Sequence, residues 1–501
     1  MSQQFQAEAV RSRMRQWMAG GQWSSAEQLA STWLATGGSD WQIRLNLAVC
    51  RARLHLGTEQ SRLALAEAAF EQSQAHPAAG LALAELSIDA GLWEQGTGLL
   101  EGMKPASLSP QQRGSWAVLL ARALARLGQN QEARQVLETI PVGERAWPWT
   151  LALADAWIQD CCWQEAEVLL QQVLQADPNL APVQLNLALL LLSQQRCQEA
   201  WPHYEWRRSN PRLNPHGQPI PLPVLADLKD RTVLVLGEQG IGDQIMYSRY
   251  LASLAAVAKQ VVVQPDARLL PLLRRQLPPS IQVLEDDLAR QDNLASQSRP
   301  AFEVLGMASL PMLFWSTLGS HTRQAGGYFQ ADDAKLVIWR DKLSRLGPGR
   351  CIGLGWLGGT NGSDTRERSL KAADQQRLLQ IPGVNWIDLQ FLGSNHNILM
   401  SQFQNKQLHR FEDVGHDIED SLALIACLDT VVSTRQTVAH LAGCLGKTGH
   451  VLVPNRPEWR YWGEDGHWDW YPSMRLMQQQ KRGCWDFELQ KIEHSLQTIS
   501  D

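Results

Sequence analysis

The sequence lacks several features that mark particular classes of protein. Its eight cysteines form no Cys-x-x-Cys pair, the spacing that many structural zinc sites and redox-active thiols use. Asp-x-Asp and His-Glu-x-x-His strings are also absent, so no pattern points to a catalytic metal. Charged residues make up only 19% of the chain and the formal net charge is −5, which disfavours a protein that binds nucleic acid or another polyanion.

Long apolar stretches are absent as well. No run reaches the ~18 uninterrupted apolar residues that span a bilayer, and the opening MSQQFQAEAVRSRMRQW contains no apolar core of a signal peptide. We therefore expect a cytoplasmic protein without a membrane span, whose cysteines are reduced and mostly buried. Tryptophan, by contrast, is frequent, with 21 residues against 6 tyrosines and 9 phenylalanines. Most of these large side chains are expected to pack between helices.

Residues 1–209 predict helices that are separated by short breaks. The recurring breaks align at Trp23, Trp93, Asn130, Trp163 and Cys197. Their spacing is close to, or twice, the period of roughly 34 residues that is typical of tetratricopeptide (TPR) helix pairs, and residues 41–75 fill the missing unit. Such pairs bury their apolar stripes only by stacking on one another, which predicts an α-solenoid.

The predicted solenoid has a concave groove. Ala133, Ala166 and Ala200 follow the breaks and are expected where paired helices approach too closely for a larger side chain. Peptide or protein binding is the usual role of the groove, and a rigid spacer or a dimerisation arm is the open alternative. Five prolines then stiffen a linker at 210–230 and end the helical pattern.

Two α/β domains are predicted after the linker. In the first, residues 231–345, apolar runs at 233–236, 260–264 and 281–284 predict strands, and a helical pattern over 243–258 follows the first of them. Alternation of strands and helices indicates a parallel sheet. The second domain begins with the strand of CIGLGWLGG and continues through WIDLQ and TVVST to the C-terminus.

The segment RTVLVLGEQGIGDQIMYSRY, residues 231–250, reads as a buried strand, a glycine turn and the start of a helix. Gly240 and Gly242 allow the backbone to approach a ligand closely, and Asp243 follows where the helix should begin. A carboxylate at this position can act on a substrate or can cap the helix. The residues alone leave both interpretations open.

A second candidate segment is GLGWLGGTNGSDTRERSL. Gly358 permits close backbone approach, and the guanidinium groups of Arg366 and Arg368 are suited to binding phosphate. Ser369 follows directly. Considered without their context, arginines in a polar loop are also compatible with solvated surface charges.

A third candidate segment is STRQTVAHLAG. A strand is predicted to lead into a helix that begins near Thr434, and the free N–H groups of such a helix make a natural seat for a pyrophosphate. Arg435 and Gln436 follow, and Thr437 and His440, about one turn apart, can add hydrogen bonds. A histidine in this position is also compatible with an ordinary packed side chain.

These segments together resemble a known family. GEQGIGDQIMYSRYL is similar to the GEQGxGDxIxxxRYL segment of bacterial proteins in which TPR repeats are fused to a GT-B-type glycosyltransferase domain. That domain is similar to heptosyltransferases and, more distantly, to O-GlcNAc transferase. AWPHYEWR resembles the GWxxYEWR string that closes the TPR array of this family, and the RS, AHLAG and WYPSMRL strings match further motifs.

The resemblance implies a TPR α-solenoid over 1–209 and, after the linker 210–230, a GT-B fold of two Rossmann-like α/β domains, 231–345 on the acceptor side and 346–501 on the donor side. It implies an inverting, metal-independent glycosyltransferase in which Asp243 is the catalytic base. The residues expected to bind the donor are Gly240, Gly242, Gly358, Arg366, Arg368, Ser369, Arg435, Gln436, Thr437 and His440.

The resemblance also suggests the reaction partners. A nucleotide sugar is the co-substrate, with uridine diphosphate as the first expectation through distant relatives, and no cofactor is expected. The acceptor is a protein or peptide that the TPR groove recruits, by analogy with O-GlcNAc transferase. Association of the chain into a homo-oligomer is left open.

One departure from the family pattern puts the activity in question. Many relatives read S-x-D-T-S-x-A-H, whereas this chain has Arg435 in place of the acid. The guanidinium can strengthen phosphate binding, or it can displace contacts that an aspartate would make to a sugar. The alternative function is therefore a catalytically inactive TPR scaffold with a degenerate transferase domain.

Overall fold

The computed structural model describes most of the chain. The described residues are 3–209, 224–285, 303–318, 327–358, 368–390, 408–411, 417–455 and 458–498. The chain divides into two compact units, Met1–Leu190 and Leu191–Asp501. The first unit is built from helices, and the second contains two largely parallel β-sheets. The predicted fold class, a TPR-like solenoid followed by α/β domains, is confirmed.

The helical region consists of α-helices joined by short turns. In chain order they are α1 Gln3–Ala19, α2 Trp23–Ala35, α3 Trp41–Arg53, α4 Glu59–Gln72, α5 Pro77–Asp89, α6 Trp93–Glu101, α7 Pro110–Arg126, α8 Asn130–Glu138, α9 Trp147–Gln159, α10 Trp163–Ala176, α11 Ala181–Ser193 and α12 Cys197–Tyr204. The 3-10 helices of this region are Pro105–Ser107, Val142–Glu144 and Glu205–Ser209. α11 spans the division between the units and α12 lies in the second. The predicted domain limits stay predictions, and residues 210–223 of the predicted linker lie outside the described residues.

The aligned sequence breaks are the starts of helices. α2, α6, α8, α10 and α12 begin at Trp23, Trp93, Asn130, Trp163 and Cys197, so this prediction is confirmed. The residue three positions further along each helix is small and buried: Ala26, Gly96, Ala133, Ala166 and Ala200. At Gly96, an added Cβ atom would lie 2.6 Å from Cγ1 of Ile88 in the preceding helix. Paired helices therefore approach too closely for a larger side chain.

Apolar side chains of the first unit form successive clusters along the chain. One cluster joins α1, α2 and α3, a second joins α3, α4 and α5, and a third begins on α5 and extends to α9. Consecutive clusters share a helix, either α3 or α5. Each helix pair is thus stabilised mainly by its neighbours, as the solenoid interpretation requires.

Two tryptophans of the first unit cap the preceding helix. The Trp116 indole nitrogen donates a hydrogen bond to the Leu100 carbonyl oxygen (2.9 Å), and that of Trp149 donates to the Leu137 carbonyl oxygen (2.8 Å). Both carbonyls lie in the last turn of a helix, where carbonyl oxygens have no partner within the helix. Tryptophan suits these positions because its ring fills the space between helices while its N–H satisfies a helix end.

The second unit contains a four-stranded parallel sheet. Its strands are β1 Thr232–Leu236, β2 Gln260–Gln264, β3 Ile281–Val283 and β4 Glu303–Gly306, in the order β3-β2-β1-β4. The associated helices are α13 Ile241–Ser248, α14 Leu251–Ala255, α15 Leu270–Gln276, α16 Leu310–Leu318 and α17 Asp333–Ser344, with 3-10 helices at Leu225–Leu228, Ala267–Leu269 and Met307–Ser309. Three strands were predicted and are confirmed. β4 was not predicted, because four residues that begin with a glutamate and end with a glycine carry little strand signal.

The prediction of one continuous helix over 243–258 is wrong, because the structure has two helices there. α13 ends at Ser248 and α14 begins at Leu251, and between them the buried Tyr250 stacks on Phe314 with ring centroids 6.0 Å apart. Periodicity alone did not reveal this break, since the apolar pattern continues across it.

The second unit also contains a seven-stranded sheet. Its strands are β5 Arg350–Gly355, β6 Val384–Asp388, β7 Leu408–His409, β8 Thr430–Thr434, β9 Gly449–Val453, β10 His467–Trp468 and β11 Tyr471–Gln478, in the order β10-β11-β9-β8-β5-β6-β7. The associated helices are α18 Ala372–Leu379, α19 Ile418–Cys427, α20 Thr437–Cys444 and α21 Asp486–Thr498, with a 3-10 helix at Glu464–Gly466. Strand pairs are parallel except β10 with β11. The three predicted strands match β5, β6 and β8.

An aromatic cluster joins α12 to both sheet regions of the second unit. The Trp201 ring packs against Trp315 of α16 at 5.4 Å and against Trp459 at 5.7 Å, and Trp459 lies 6.2 Å from Trp470. Trp201, Trp459 and Trp470 are buried, so these tryptophans act in packing, as expected. In the described part of the chain, no helix combines the length and apolarity needed to cross a bilayer.

Candidate active site

The two sheets of the second unit each direct a helix toward one cavity. β1 leads through the glycine turn into α13, and β8 leads through Arg435 and Gln436 into α20. The first residues of both helices line a cavity of about 530 Å³. Since the free N–H groups at a helix start favour anions, this arrangement is suited to a negatively charged ligand.

Most of the predicted site residues meet at this cavity. The predicted residues that line it are Gly240, Gly242, Asp243, Arg368, Arg435, Gln436, Thr437 and His440. Gly358 and Ser369 support Arg368 instead: the Ser369 hydroxyl accepts a hydrogen bond from the Gly358 N–H at 3.2 Å, and a Cβ at Gly358 would lie 2.4 Å from Cβ of Arg368. Arg366 lies outside the described residues.

The start of α20 differs from its prediction. The strand extends to Thr434 and the helix begins at Thr437, so the predicted start near Thr434 is wrong. The run Thr430–Thr434 is fully buried and rich in β-branched residues, which favour a strand over a helix. Arg435 and Gln436 therefore form the turn itself, next to the cavity.

Gly242 and His440 bring α13 and α20 into direct contact. A Cβ atom at Gly242 would lie 2.5 Å from Cδ2 of His440, so a larger residue would push the two helices apart. The histidine nitrogens Nδ1 and Nε2 each lie 3.1 Å from a tyrosine hydroxyl, that of Tyr471 and that of Tyr461. Burial lowers the pKa of His440 to about 3, which keeps the ring neutral. Its contact with a donor stays a prediction.

Asp243 caps α13 and also faces the cavity. Its Oδ2 accepts a hydrogen bond from the Gly240 N–H at 3.2 Å, as a helix cap does. Its Oδ1 lies 2.7 Å from Nε of Arg460, and 20% of the side chain remains exposed, toward the cavity. Burial raises the pKa of the Asp243 carboxyl above its ordinary value, while Arg460 opposes this shift. A carboxylate with a raised pKa is the better proton acceptor.

Three arginines converge on Glu458, which the sequence had not singled out. Arg368 Nη2 lies 2.7 Å from Glu458 Oε1, Arg435 Nη1 lies 3.5 Å from the same oxygen, and Arg460 Nη1 lies 3.3 Å from Oε2. With Asp243, this cluster holds three guanidinium groups and two carboxylates. It therefore carries an excess of positive charge beside the starts of α13 and α20.

Apolar side chains also line the cavity. They include Leu357, Leu389, Ile418 and Ile425. Gln390 lines it too, and its Oε1 accepts a hydrogen bond from the Leu357 N–H at 2.8 Å. A ligand with one apolar or flat part and one anionic part would match this lining.

Comparisons with known proteins find partial likenesses. No protein-family model matches the chain. The protein FlbA of Caulobacter vibrioides is 24% identical over 342 residues, and the match covers 64% of this chain and 56% of FlbA. The chain thus spans little more than half the length of this relative.

Solved structures resemble parts of the chain. ADP-heptose LPS heptosyltransferase II of E. coli matches 54% of this chain and 98% of its own length, with 13% identity and a TM-score of 0.37. A tetratricopeptide repeat protein of Parabacteroides merdae matches 42% of this chain and 80% of its own length, with 14% identity and a TM-score of 0.31. The structures that match thus include a heptosyltransferase and a TPR protein.

Proposed function

We propose that the second unit transfers a sugar from a nucleotide-sugar donor to an acceptor hydroxyl. The observation that carries this proposal is the shared cavity of Asp243 and the arginine cluster. Guanidinium groups and helix starts bind phosphate oxygens, and a buried carboxylate can accept a proton from a hydroxyl. A reaction that needs a base next to a departing diphosphate uses both groups at once.

In the proposed reaction, the diphosphate of the donor lies between the start of α20 and the arginines Arg368 and Arg435. Asp243 removes the proton from the acceptor hydroxyl, whose oxygen forms a bond to the anomeric carbon. The bond from that carbon to the diphosphate oxygen breaks on the opposite face, so the configuration inverts. The electron pair remains on the diphosphate, where the arginines stabilise the developing charge. The proposal assigns this stabilisation to protein cations rather than to a metal.

The proposed acceptor is a protein or peptide that the helical repeats recruit, which makes the reaction a protein glycosylation. Support comes from the presence of stacked TPR-like helix pairs, because such repeats commonly bind extended peptides. A sugar linked to uridine diphosphate is the first donor to test. A nucleotide sugar is the only small molecule that the proposal requires, and no resident cofactor takes part.

The donor site can be tested by the thermal stability of the purified full chain with UDP, GDP, ADP, TDP and CMP. A ligand that binds only the folded state stabilises it by about 2.7 kcal/mol at a hundred times its Kd. We expect one nucleotide to raise the Tm, and the effect to be lost in Arg368→Ala. Arg377→Ala is the matched control, because Arg377 pairs with Glu493 and Asp486 of the same unit.

The base can be tested by Asp243→Asn in a transfer assay with the stabilising nucleotide's sugars. We expect the variant to bind the donor but to lose transfer, since the amide cannot accept the proton. Asp341→Asn, on the exposed pair with Arg345, is the control. Unchanged turnover in Asp243→Asn would remove this residue from the mechanism.

The alternative function, an inactive scaffold, predicts different results in these experiments. A wild-type protein that no nucleotide or nucleotide sugar stabilises at millimolar concentration would contradict the transferase proposal. The next experiment would then identify a peptide bound by the repeats. Nucleotide binding without transfer to any acceptor would point to a degenerate transferase domain that keeps its ligand.

A further inference from the structure

Three polar side chains beside the proposed base form a ring of hydrogen bonds. Arg460 Nη2 donates to Gln239 Oε1 at 2.6 Å and to the Tyr204 hydroxyl at 3.3 Å, and Gln239 Nε2 donates to the same hydroxyl at 2.6 Å. Each of the three side chains thus contacts the other two. From this ring, Nε of Arg460 reaches Oδ1 of Asp243 at 2.7 Å.

The backbone of Gln239 indicates that its side chain matters. Its φ is +63°, the left-handed region that glycine adopts readily and other residues avoid. A glycine would relieve this conformation, yet the position carries a glutamine whose amide bridges Tyr204 and Arg460. A residue held in an unfavourable backbone conformation by its side-chain contacts is a reason to look for a functional requirement.

Glu238, which precedes Gln239 in the turn, is bound by Arg207, which follows α12. Nε of Arg207 lies 3.0 Å from Glu238 Oε2, and Nη2 of Arg207 lies 2.8 Å from Glu238 Oε1. The Ala308 N–H also donates to Oε1, at 2.9 Å. A Cβ on Gly306 would lie 2.0 Å from Oε1 of Glu238, so β4 leaves room for this carboxylate. The Glu-Gln pair of the turn is therefore bound by Tyr204 and Arg207, one helical turn apart.

These contacts explain why the YEWR and GEQG strings both occur in the chain. Tyr204 is the last residue of α12 and Arg207 lies in the 3-10 helix that follows it. Their partners Glu238 and Gln239 form the turn that presents Asp243. Arg460 joins the same group from a position 221 residues beyond Gln239.

We infer that Arg460 is a positioning residue that holds the Asp243 carboxylate toward the acceptor hydroxyl, and that Tyr204 and Gln239 hold Arg460 in turn. This inference rests on the proposed transferase function. Nε of the guanidinium lies within ion-pair distance of one carboxylate oxygen, and the Gly240 N–H donates a hydrogen bond to the other. A carboxylate offers about four lone-pair directions, so a direction toward the cavity remains for the proton.

The end of the helical array is thereby part of the proposed catalytic apparatus. α12 and the residues after it end the predicted TPR repeats, and Tyr204 contacts both Gln239 and Arg460. A change in Tyr204 should therefore affect proton transfer although this residue does not line the cavity.

The decisive variant is Gln239→Gly in the full chain. Glycine accepts the left-handed backbone conformation but makes none of the side-chain hydrogen bonds of Gln239, so a purely structural role predicts a change in stability alone, with full activity of the folded protein. The positioning role predicts that kcat falls, of the order of a hundredfold for a base displaced by about 1 Å, while the KM for the donor stays the same. Gln74→Gly is the matched control, because the exposed Gln74 has a φ of +54°.

Two further variants separate geometry from charge. Tyr204→Phe removes one hydroxyl and should lower kcat without moving the acid limb of the pH profile of kcat/KM. Arg460→Met removes the charge that favours ionised Asp243, so the acid limb should move to higher pH. The other titratable groups that interact with Asp243 are Glu458, Glu238, Tyr204, Tyr247 and Tyr461, and His440 lines the same cavity. They are unchanged by Arg460→Met, so the shift reports the loss of the guanidinium.

A readout independent of activity keeps the inference testable if the protein proves not to be a transferase. The carboxyl carbon of Asp243 can be titrated by NMR in selectively labelled protein, with Asp243→Asn to assign the signal. We expect a higher pKa in Arg460→Met than in the wild type, and a higher pKa or a broadened signal in Gln239→Gly. An unaltered titration in Arg460→Met would overturn the positioning role, and so would full kcat in Gln239→Gly. Absence of any transfer by the wild type would instead contradict the proposed function.

Discussion

The two units of this chain differ in how many charged side chains they bury. Among the described residues up to Leu190, Glu167 is the one buried side chain that carries a charge, whereas the described part of the second unit buries seven. These are Glu205, Arg208, Asp388, Glu419, Arg435, Arg460 and Glu488. Burying a charge costs several kcal/mol unless partners compensate for the loss of water, so a solenoid that only needs to stack avoids it.

Three of these seven buried charges lie near the turn of Asp243 or the start of α20. Glu205 and Arg460 contact the turn that presents Asp243 through Arg207 and Gln239, and Arg435 lies beside the start of α20. Apolar stacking thus stabilises the repeats, while directional polar contacts fix the positions of side chains around the cavity.

The largest expected effect tests the buried network directly. Glu238→Gln removes one of the two carboxylates that pair with Arg207, whose side chain is only 9% exposed, and leaves Glu205 as the other. Removing one partner of a buried ion pair costs about 3–5 kcal/mol. We expect hydrogen exchange to show this loss in peptides of the second unit. Arg122→Gln breaks the exposed pair of Arg122 with Asp89 in the first unit and should cost under about 1 kcal/mol. Equal losses in both variants would contradict the comparison.

A cavity in the solenoid should have a smaller and more local effect. Leu137 of α8 is fully buried, and Leu137→Ala should destabilise the first unit by about 3 kcal/mol. Because each helix pair is stabilised mainly by its neighbours, hydrogen exchange should increase most in α7, α8 and α9. An equal increase in the sheets of the second unit would show that the two units do not unfold independently.

A fall in pH should lower the stability of the second unit, because His440 is buried as a neutral ring. Its pKa is lowered by burial to about 3, while a histidine in the unfolded chain titrates near 6.5. The unfolded state therefore binds the proton first as the pH falls through 6.5, and stability decreases until the pH reaches about 3. The loss at pH 5 is roughly 2 kcal/mol. Urea unfolding at pH 7.5 and pH 5 should show it, and the difference should shrink in His440→Gln, whose amide does not titrate.

The smallest expected effect concerns the charge balance of the cavity. Glu458→Gln removes one of the two carboxylates that face Arg368, Arg435 and Arg460. We expect the affinity for the nucleoside diphosphate found by thermal shift to rise about tenfold, or about 1.4 kcal/mol. Calorimetry can measure this, with Glu285→Gln on the exposed pair with Arg274 as the control. Weaker binding would mean that Glu458 contacts the ligand itself.

Local sequence patterns determined much of the architecture. The starts of α2, α6, α8, α10 and α12 follow from one recurring break, and β1, β2, β5, β6 and β8 follow from short apolar runs between turn signals. The glycine turn before Asp243 and the arginine at Arg368 were also recognisable, because each lies in a contiguous segment that resembles a family motif. Such features depend on neighbours within one or two turns of the chain, and periodicity reports those neighbours directly.

Only the tertiary structure decided which of these segments act together. Arg460 and Tyr204 are 256 residues apart, and no local pattern indicates that both contact Gln239. The tyrosine partners of His440 and the convergence of three arginines on Glu458 likewise depend on how two sheets and the end of α12 pack. Side-chain direction and long-range contact are set by the packed fold rather than by adjacent residues. The sequence therefore determined the elements and the turn that carries Asp243, and the fold decided what orients its carboxylate.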